Sequence, residues 1–188
     1  MFNELTKQIE LLLSKKSPVV VAITGFAGSG KSTLASWLAE HFHVQDCQIL
    51  RLDNMYMPIP RGGGLFDDYD WTLVRQILSS AHFSERLRYT TRGFEGERHQ
   101  IDEPMPKVVI IEGIRLFREE LMNYFDLSVY VNCPPEIALQ RAKARDISQG
   151  HDEAYMRRWD TEWGPFNQRY FDEYRPDQLA DFLYREFK

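Results

Sequence analysis

Cysteine is scarce in this chain of 188 residues, which contains only Cys47 and Cys133. The two lie far apart, and each stands beside an apolar segment that is typical of a strand. This pattern argues against both a disulfide framework and a cysteine-ligated metal cluster. We therefore expect two thiols that lie in a hydrophobic core.

Long hydrophobic runs are also missing. No apolar segment approaches the roughly 20 residues that a membrane-spanning helix requires. The N-terminal segment, MFNELTKQIELLLSKKSP, carries acidic and basic side chains throughout and does not resemble a signal peptide. We therefore expect a soluble, cytoplasmic protein without a membrane partner.

An excess of positive charge is the third missing feature. The 28 acidic residues outnumber the 23 lysines and arginines, and the formal net charge is -5. A surface of this sign repels a nucleic-acid backbone rather than attracting it. We expect no nucleic-acid partner, and any anionic ligand must be held by a local site.

Internal repeats and low-complexity linkers are absent, and segments typical of strands alternate with segments typical of helices. This alternation predicts an α/β fold with a mainly parallel central sheet, in one domain over residues 1–188. Ligands of such folds bind at the carboxyl ends of the strands. The predicted strands cover residues 19–23, 47–53, 107–113 and 127–132, with a last short one within 177–187. The predicted helices lie around residues 5–13, 34–42, 71–79, 118–124, 134–148 and 152–173.

The segment between the first strand and the next helix matches the phosphate-binding pattern G-x-x-x-x-G-K-[ST] at every fixed position. Glycines let backbone N–H groups point at phosphate oxygens, the lysine reaches the β- and γ-phosphates, and the serine hydroxyl ligates Mg²⁺. The flanking strand and helix favour nucleotide binding over an ordinary glycine-rich turn. The predicted nucleotide-binding residues are Gly25, Phe26, Ala27, Gly28, Ser29, Gly30, Lys31, Ser32 and Thr33.

A phosphate-binding loop alone is compatible with a kinase, a GTPase switch or a mechanical ATPase. Ras-type GTPases normally carry an N-K-x-D motif, and no asparagine of this chain is followed by lysine. Motor ATPases usually have further domains or remote arginine fingers, for which this short unit has little room. Both observations argue against these two classes.

Six segments together resemble a known family. The segments ITGFAGSGKSTLA, RLDNMY, LFDDYDW, VVIIEGI, VYVNCPPEIALQRAKARDIS and WGPFNQRYFDEYRPDQLADF follow one another as in the uridine kinase and phosphoribulokinase family. The resemblance covers nearly the whole chain. It implies a three-layer P-loop NTPase fold with a helical lid at about residues 141–160. It also implies transfer of the γ-phosphoryl group of ATP to a hydroxyl of a small molecule, with Mg²⁺ as cofactor.

The same resemblance assigns roles to residues at the ends of the predicted strands. Asp53 corresponds to the family's catalytic base, although an aspartate at this place could also only cap a turn. Glu112 corresponds to the acidic residue that holds the water shell of Mg²⁺ beside Ser32, and the alternative is an ordinary strand-end acid. Arg141 and Arg145 fall in the lid and share one helical face, so that they would act with Lys31 on the transferred phosphoryl group unless they are simply solvated.

The acceptor side of the site resembles the family less closely. Asp67 corresponds to the acid that binds sugar hydroxyls, Asp68 and Asp70 are open alternatives, and Tyr56 follows Asp53 by three residues. Uridine kinases usually carry a tyrosine followed after a few residues by a histidine, whereas this chain has Tyr89, then Arg92, and His99 only ten residues on. The expected substrate contacts are Asp53, Tyr56, Asp67, Tyr89 and Arg92.

The identity of the acceptor is therefore open. A nucleoside is expected first, and pantothenate, a sugar or a sugar phosphate are alternatives because arginines 61, 88, 92 and 98 could meet a phosphate or carboxylate group. A protein of another class, a nucleotide-dependent regulator without acceptor chemistry, would carry the same loop. The sequence also leaves open whether the chain forms a homo-oligomer.

Overall fold

A computed structural model describes residues 1–55, 57, 64–92, 96 and 98–185 of the chain. Buried, β-branched segments form most of the central strands, since both faces of the sheet are covered. The strands are β1 (Val19–Thr24), β2 (Cys47–Arg51), β3 (Arg86–Arg92), β4 (Arg98–Pro104), β5 (Val108–Glu112), β6 (Leu127–Val131) and β7 (Phe182–Tyr184).

Helices follow or precede most of these strands. Two short turns of 3-10 helix flank β2, at Val44–Asp46 and Leu52–Asn54. The α-helices are α1 (Phe2–Leu13), α2 (Lys31–His41), α3 (Trp71–Phe83), α4 (Glu119–Met122), α5 (Pro135–Ser148), α6 (Glu153–Arg158), α7 (Gly164–Tyr174) and α8 (Pro176–Leu179). These positions agree with the helices that the sequence predicts, apart from the interruption described below and the short helix α8, which the sequence analysis did not predict.

The central sheet has the order β2-β5-β1-β6-β7, and all of its strand pairs are parallel. Residues of α1 and α2, among them Ile9 and Leu38, pack on one face of this sheet. Residues of α3, among them Val74 and Leu78, pack on the other. The predicted α/β fold with a mainly parallel sheet between layers of helices is thus confirmed, and it brings the carboxyl ends of β1, β2 and β5 to one edge.

Strands β3 and β4 form a separate antiparallel hairpin outside the central sheet. The sequence between Leu87 and Glu103 carries no clear periodicity, and for this reason no element is predicted there. The hairpin strands are mostly exposed, so that they lack the continuous apolar pattern by which buried strands are recognised.

The predicted helix over residues 152–173 is interrupted in the structure. Between α6 and α7, Trp159–Trp163 form one turn of π-helix, and the N–H of Gly164 donates to the carbonyl of Trp159. A Cβ atom on Gly164 would lie only 2.4 Å from that carbonyl oxygen, so that glycine permits the close approach. Turns of this type occur frequently at functional sites.

Two further expectations are tested by burial and length. Cys47 is buried as expected, whereas Cys133 is only half-buried, because it lies just beyond the end of β6. No helix within the described ranges combines the length and apolar character that spanning a bilayer requires. The assignment of residues 1–188 to one domain stays a prediction.

Candidate active site

The glycine-rich loop joins the carboxyl end of β1 to the first turn of α2. Gly28 and Gly30 have φ angles of +79° and +99°, in the left-handed region that favours glycine. Gly30 is the N-cap of α2, so that Lys31 begins the helix and the loop curls around its positive end. This backbone conformation is the type that binds phosphate through its N–H groups.

Lys31 lies folded over this loop. Its Nζ donates a hydrogen bond to the carbonyl oxygen of Phe26 at 2.8 Å, and the side chain is buried. Burial lowers the pKa of Lys31, and the nearby carboxylates of Glu112 and Asp53 oppose that shift. The ammonium group is thereby held at the loop, close to two carboxylates.

One cavity of about 610 Å³ collects most of the predicted site residues. Gly25, Phe26 and Ser29 support the loop without lining the cavity. The predicted residues that line it are Ala27, Gly28, Gly30, Lys31, Ser32, Thr33, Asp53, Glu112, Arg141 and Arg145. Asp68, an open alternative to Asp67 in the sequence analysis, lines the cavity as well. The lining residues that the sequence analysis did not identify are Tyr69, Gly113, Ile114, Arg115, Ala142, Gln149, His151, Tyr155, Trp159, Trp163 and Asn167.

Ser32 and Glu112 form an oxygen-rich pair at the edge of this cavity. The Ser32 hydroxyl donates to Oε1 of Glu112 at 3.0 Å, and Glu112 ends β5 beside β1. Burial raises the pKa of Glu112, while Lys31 opposes the shift. One hydroxyl and one carboxylate suit Mg²⁺, which keeps several of its waters.

Asp53 lies in the 3-10 turn that follows β2, two residues beyond the end of the strand. Its carboxylate is exposed to the cavity and accepts a hydrogen bond from the hydroxyl of Tyr69, from O to Oδ1 at 3.2 Å. Asp53 also interacts electrostatically with Lys31 and Glu112. A potential proton acceptor therefore stands beside the phosphate-binding loop.

Arg115 is a buried cation that the sequence analysis missed. Its Nη1 donates to the carbonyl of Leu65, and its Nη2 contacts Oδ2 of Asp68 at 2.5 Å. Burial raises the pKa of Asp68, and the Arg115 guanidinium opposes this shift. A charged residue three positions after Glu112, within the otherwise apolar segment GIRLF, was the available signal for it.

The arginines of α5, Arg141 and Arg145, line the cavity as well. Arg145 contacts the adjacent Asp146, with Nε and Oδ1 separated by 2.8 Å. The other carboxylate oxygen of Asp146 accepts a hydrogen bond from Nε1 of Trp159 at 2.8 Å. Because Asp146 is buried, this contact fixes the end of α5 against the π-helical turn.

Aromatic rings from His151, α6 and the π-helical turn also line the cavity. The rings of His151 and Tyr155 stack at 3.8 Å, and Trp163 lies 4.9 Å from Tyr155 and 5.0 Å from Trp159, between ring centroids. The sequence shows only that this segment is rich in aromatics. The spacing of four residues between positions 155, 159 and 163 was the signal that they share a face.

The predicted acceptor contacts are less well gathered. Asp67 is exposed and accepts a hydrogen bond from the backbone of Gly64, and it does not line the cavity. Asp70 caps α3 by accepting from the N–H of Leu73 at 2.9 Å, whereas Asp68 does line the cavity because Arg115 binds it there.

The remaining expected contacts lie elsewhere. Tyr89 and Arg92 belong to β3 and do not line the cavity, and Arg88 of the same strand pairs with Asp102 at 3.1 Å. Tyr56 and Arg61 lie outside the described residues. The substrate roles of these side chains stay predictions.

Comparison with known proteins shows the family of the chain. The profile of the AAA domain family matches residues 21–160. A uridine kinase from Geobacillus kaustophilus is 31% identical over 156 residues, which cover 71% of this chain and 70% of that protein.

Two solved structures share the fold. The structure of a possible uridine kinase from Bacillus stearothermophilus superimposes with a TM-score of 0.70 at 19% identity and covers 96% of this chain and 99% of its own. A D-glycerate 3-kinase from Cryptococcus neoformans gives 0.54 at 13% identity and covers 81% and 78%. The chain therefore carries an AAA domain and belongs to the P-loop small-molecule kinases related to uridine kinase.

Proposed function

We propose that this kinase transfers the γ-phosphoryl group of ATP to a hydroxyl group of a nucleoside. One observation carries the proposal: the Asp53 carboxylate faces the same cavity as Lys31 and Ser32 of the phosphate-binding loop. A proton acceptor beside a phosphate cradle is the arrangement that phosphoryl transfer to an alcohol requires. The 31% identity to a uridine kinase supports the nucleoside as acceptor class.

The donor side of the reaction uses the loop and the cations around it. Backbone N–H groups of the loop bind the phosphates, and Lys31 neutralises charge on the β- and γ-phosphates. Arg141 and Arg145 face the cavity and stabilise charge on the transferred group. Ser32 and Glu112 would hold Mg²⁺, which supplies further positive charge beside the phosphates when it is bound.

Asp53 acts on the acceptor. It takes the proton of the acceptor hydroxyl as the oxygen forms its bond to the γ-phosphorus, while the bond from that phosphorus to the bridging oxygen of ADP breaks. The products are the phosphorylated acceptor, ADP and one proton. Because little covalent work falls to the protein, positioning of the hydroxyl by Asp53 supplies much of the rate enhancement.

Two arginines among the described residues are already paired, which supports a neutral acceptor. Arg115, on the Asp53 side, is already paired with Asp68, and Arg88 of the hairpin is paired with Asp102. Recognition of a phosphate or carboxylate group on the acceptor would need a cation that is not already neutralised. Tyr155 and Trp163 also line the cavity and add aromatic surface that an uncharged base could contact.

A panel of acceptors tests this proposal. The protein is incubated with Mg²⁺, ATP and separate nucleosides, sugars, sugar phosphates or pantothenate, and ADP release is measured. We expect nucleosides to raise ADP release above the rate with ATP alone. A response only to a sugar, a sugar phosphate or pantothenate would make the nucleoside assignment wrong. Nucleotide binding without any response would favour a regulatory protein.

Asp53→Asn tests the proton acceptor. The amide keeps the size of the carboxylate but cannot take a proton, so that we expect turnover to fall by about 10²- to 10⁴-fold. ATP affinity, measured by calorimetry, should change by less than about twofold because the phosphate loop is intact. Asp172→Asn on the exposed side of α7 is the matched control. Turnover of Asp53→Asn equal to that of the control would remove Asp53 from this role.

A further inference from the structure

A buried tyrosine stands directly beside Asp53. Only 7% of Tyr69 is exposed, and its hydroxyl donates to Oδ1 of Asp53 at 3.2 Å, while both residues line the cavity. The ring is anchored in the cluster of α3 and the sheet, whereas the carboxylate it binds lies in a short exposed turn. The packed ring therefore holds Oδ1 of Asp53, and no donor to Oδ2 is found among the described residues.

The protonation state of Tyr69 gives this hydrogen bond a fixed direction. Burial raises the pKa of Tyr69 well above its usual value, and the carboxylates of Asp53 and Asp68 raise it further. The phenol therefore stays protonated at neutral pH and donates, and it does not compete with Asp53 for a proton from another group.

Arg115 contacts the ring of Tyr69. Its guanidinium carbon lies 5.5 Å from the centroid of the Tyr69 ring, within the range of a cation–π contact. The same guanidinium binds the carbonyl of Leu65 and the carboxylate of Asp68, and both of these residues lie in the segment just before Tyr69. Since Arg115 is itself buried and follows β5, it ties this loop to the central sheet.

Backbone hydrogen bonds tie the loop to the Asp53 turn as well. The N–H of Asp70 donates to the carbonyl of Met55 at 2.9 Å, and the N–H of Met57 donates to the carbonyl of Asp68 at 2.8 Å. Tyr69 therefore lies between two contacts that join its own segment to the one carrying Asp53. Movement of the tyrosine would be transmitted to the turn.

We propose that Tyr69 is a positioning residue that orients the Asp53 carboxylate towards the acceptor hydroxyl, and that Arg115 sets the position of Tyr69. The inference rests on the proposed phosphoryl transfer, in which Asp53 takes the proton. Tyr69 binds one oxygen of the carboxylate and leaves the second to the acceptor. A tyrosine that only fills the core would need its ring and not its hydroxyl.

Tyr69→Phe separates these two roles because it keeps the ring and removes the donor. With the acceptor found in the panel, we expect kcat to fall about tenfold, with KM for ATP changed by less than about twofold. In the Asp53→Asn background the same substitution should add no further loss, since its effect passes through Asp53. Tyr174→Phe, on an exposed tyrosine of α7, is the matched control. Wild-type turnover of Tyr69→Phe would overturn the inference.

A spectroscopic measurement needs no acceptor. In protein labelled with ¹³C at Cζ of tyrosine, the Tyr69 resonance is identified by its loss in Tyr69→Phe. We expect Asp53→Asn to move this resonance, because the phenol loses its charged partner, and Asp172→Asn to leave it in place. An unmoved resonance in Asp53→Asn would overturn the inference.

Arg115→Lys tests the second half of the proposal and is independent of any folding defect in Tyr69→Phe. Lysine keeps the charge but cannot bind Leu65 and Asp68 together in the planar geometry of a guanidinium. We expect the Tyr69 resonance to move from its wild-type position, and we expect kcat to fall as it does in Tyr69→Phe. An unchanged resonance and kcat would remove Arg115 from the proposal. The proposed function fails separately, if Asp53→Asn itself leaves turnover unchanged.

Discussion

The substitution Gly28→Ala should disturb the close packing of the phosphate-binding loop against α5. Gly28 has a φ angle of +79°, and a Cβ atom built on it would lie 2.1 Å from the carbonyl oxygen of Ala138 and 2.8 Å from the backbone nitrogen of Ala142. Both are backbone atoms of α5, which cannot rotate away as a side chain could. The loop or the helix must therefore move by about 1 Å to accept one methyl group.

The magnitude follows from two costs. The left-handed conformation costs an alanine about 1–2 kcal/mol, and overpacking against α5 costs about 1–3 kcal/mol more. We expect Gly28→Ala to lower the free energy of unfolding by about 2–5 kcal/mol. Gly150→Ala is a matched control, since Gly150 has a φ of +85° but nothing within 4 Å of its Cβ position. It should show only the first cost, and the difference between the two variants isolates the contact with α5.

Equilibrium unfolding in urea, followed by far-UV circular dichroism, measures both variants. Binding of a fluorescent ATP analogue to Gly28→Ala should also weaken by at least about tenfold, because α5 carries Arg141 and Arg145 and the loop itself is displaced. The reasoning would be refuted if Gly28→Ala lost no more stability than Gly150→Ala and bound the analogue as the wild type does.

Three further substitutions test other contacts of the site. Asp146→Asn should lower kcat about tenfold with little change in KM for ATP, since the amide can still accept from Trp159 but carries no charge for Arg145. Glu112→Gln should raise the Mg²⁺ concentration for half-maximal turnover by at least about tenfold. Gly164→Ala places a Cβ 2.4 Å from the carbonyl of Trp159 and should lower the free energy of unfolding by about 1–3 kcal/mol, with a change in the near-UV circular dichroism of the tryptophans.

The fold could be predicted from the sequence because its signals are local. Continuous apolar runs mark the buried strands, and the four-residue spacing of Leu34 and Leu38, close to one helical turn, marks the helix that follows the loop. The β3–β4 hairpin could not be predicted in the same way, because exposed strands carry no such run. The π-helical turn depends on a close approach between Gly164 and Trp159, and no periodicity of the sequence predicts this contact.

The acceptor side shows how far sequence position alone reaches. Asp67 and Asp68 are neighbours with the same side chain, yet only Asp68 lines the cavity. The difference is made by Arg115, which lies more than 40 positions further along the chain and binds Asp68 through a buried contact. A resemblance between motifs selects Asp67, because comparing residues position by position does not reveal the contact between Arg115 and Asp68.

The phosphate-binding loop could be predicted from consecutive residues, because the conformation of Gly28 and Gly30 and the start of α2 at Lys31 depend on local backbone preferences. The environment of Asp53 could not be predicted in this way. Tyr69, Arg115 and the ring of Trp163 reach the cavity from segments far apart in the chain. Only packing of the loop, the sheet edge and the π-helical turn against one another brings them together, since burial and charge pairing act between elements and leave no pattern within any one of them.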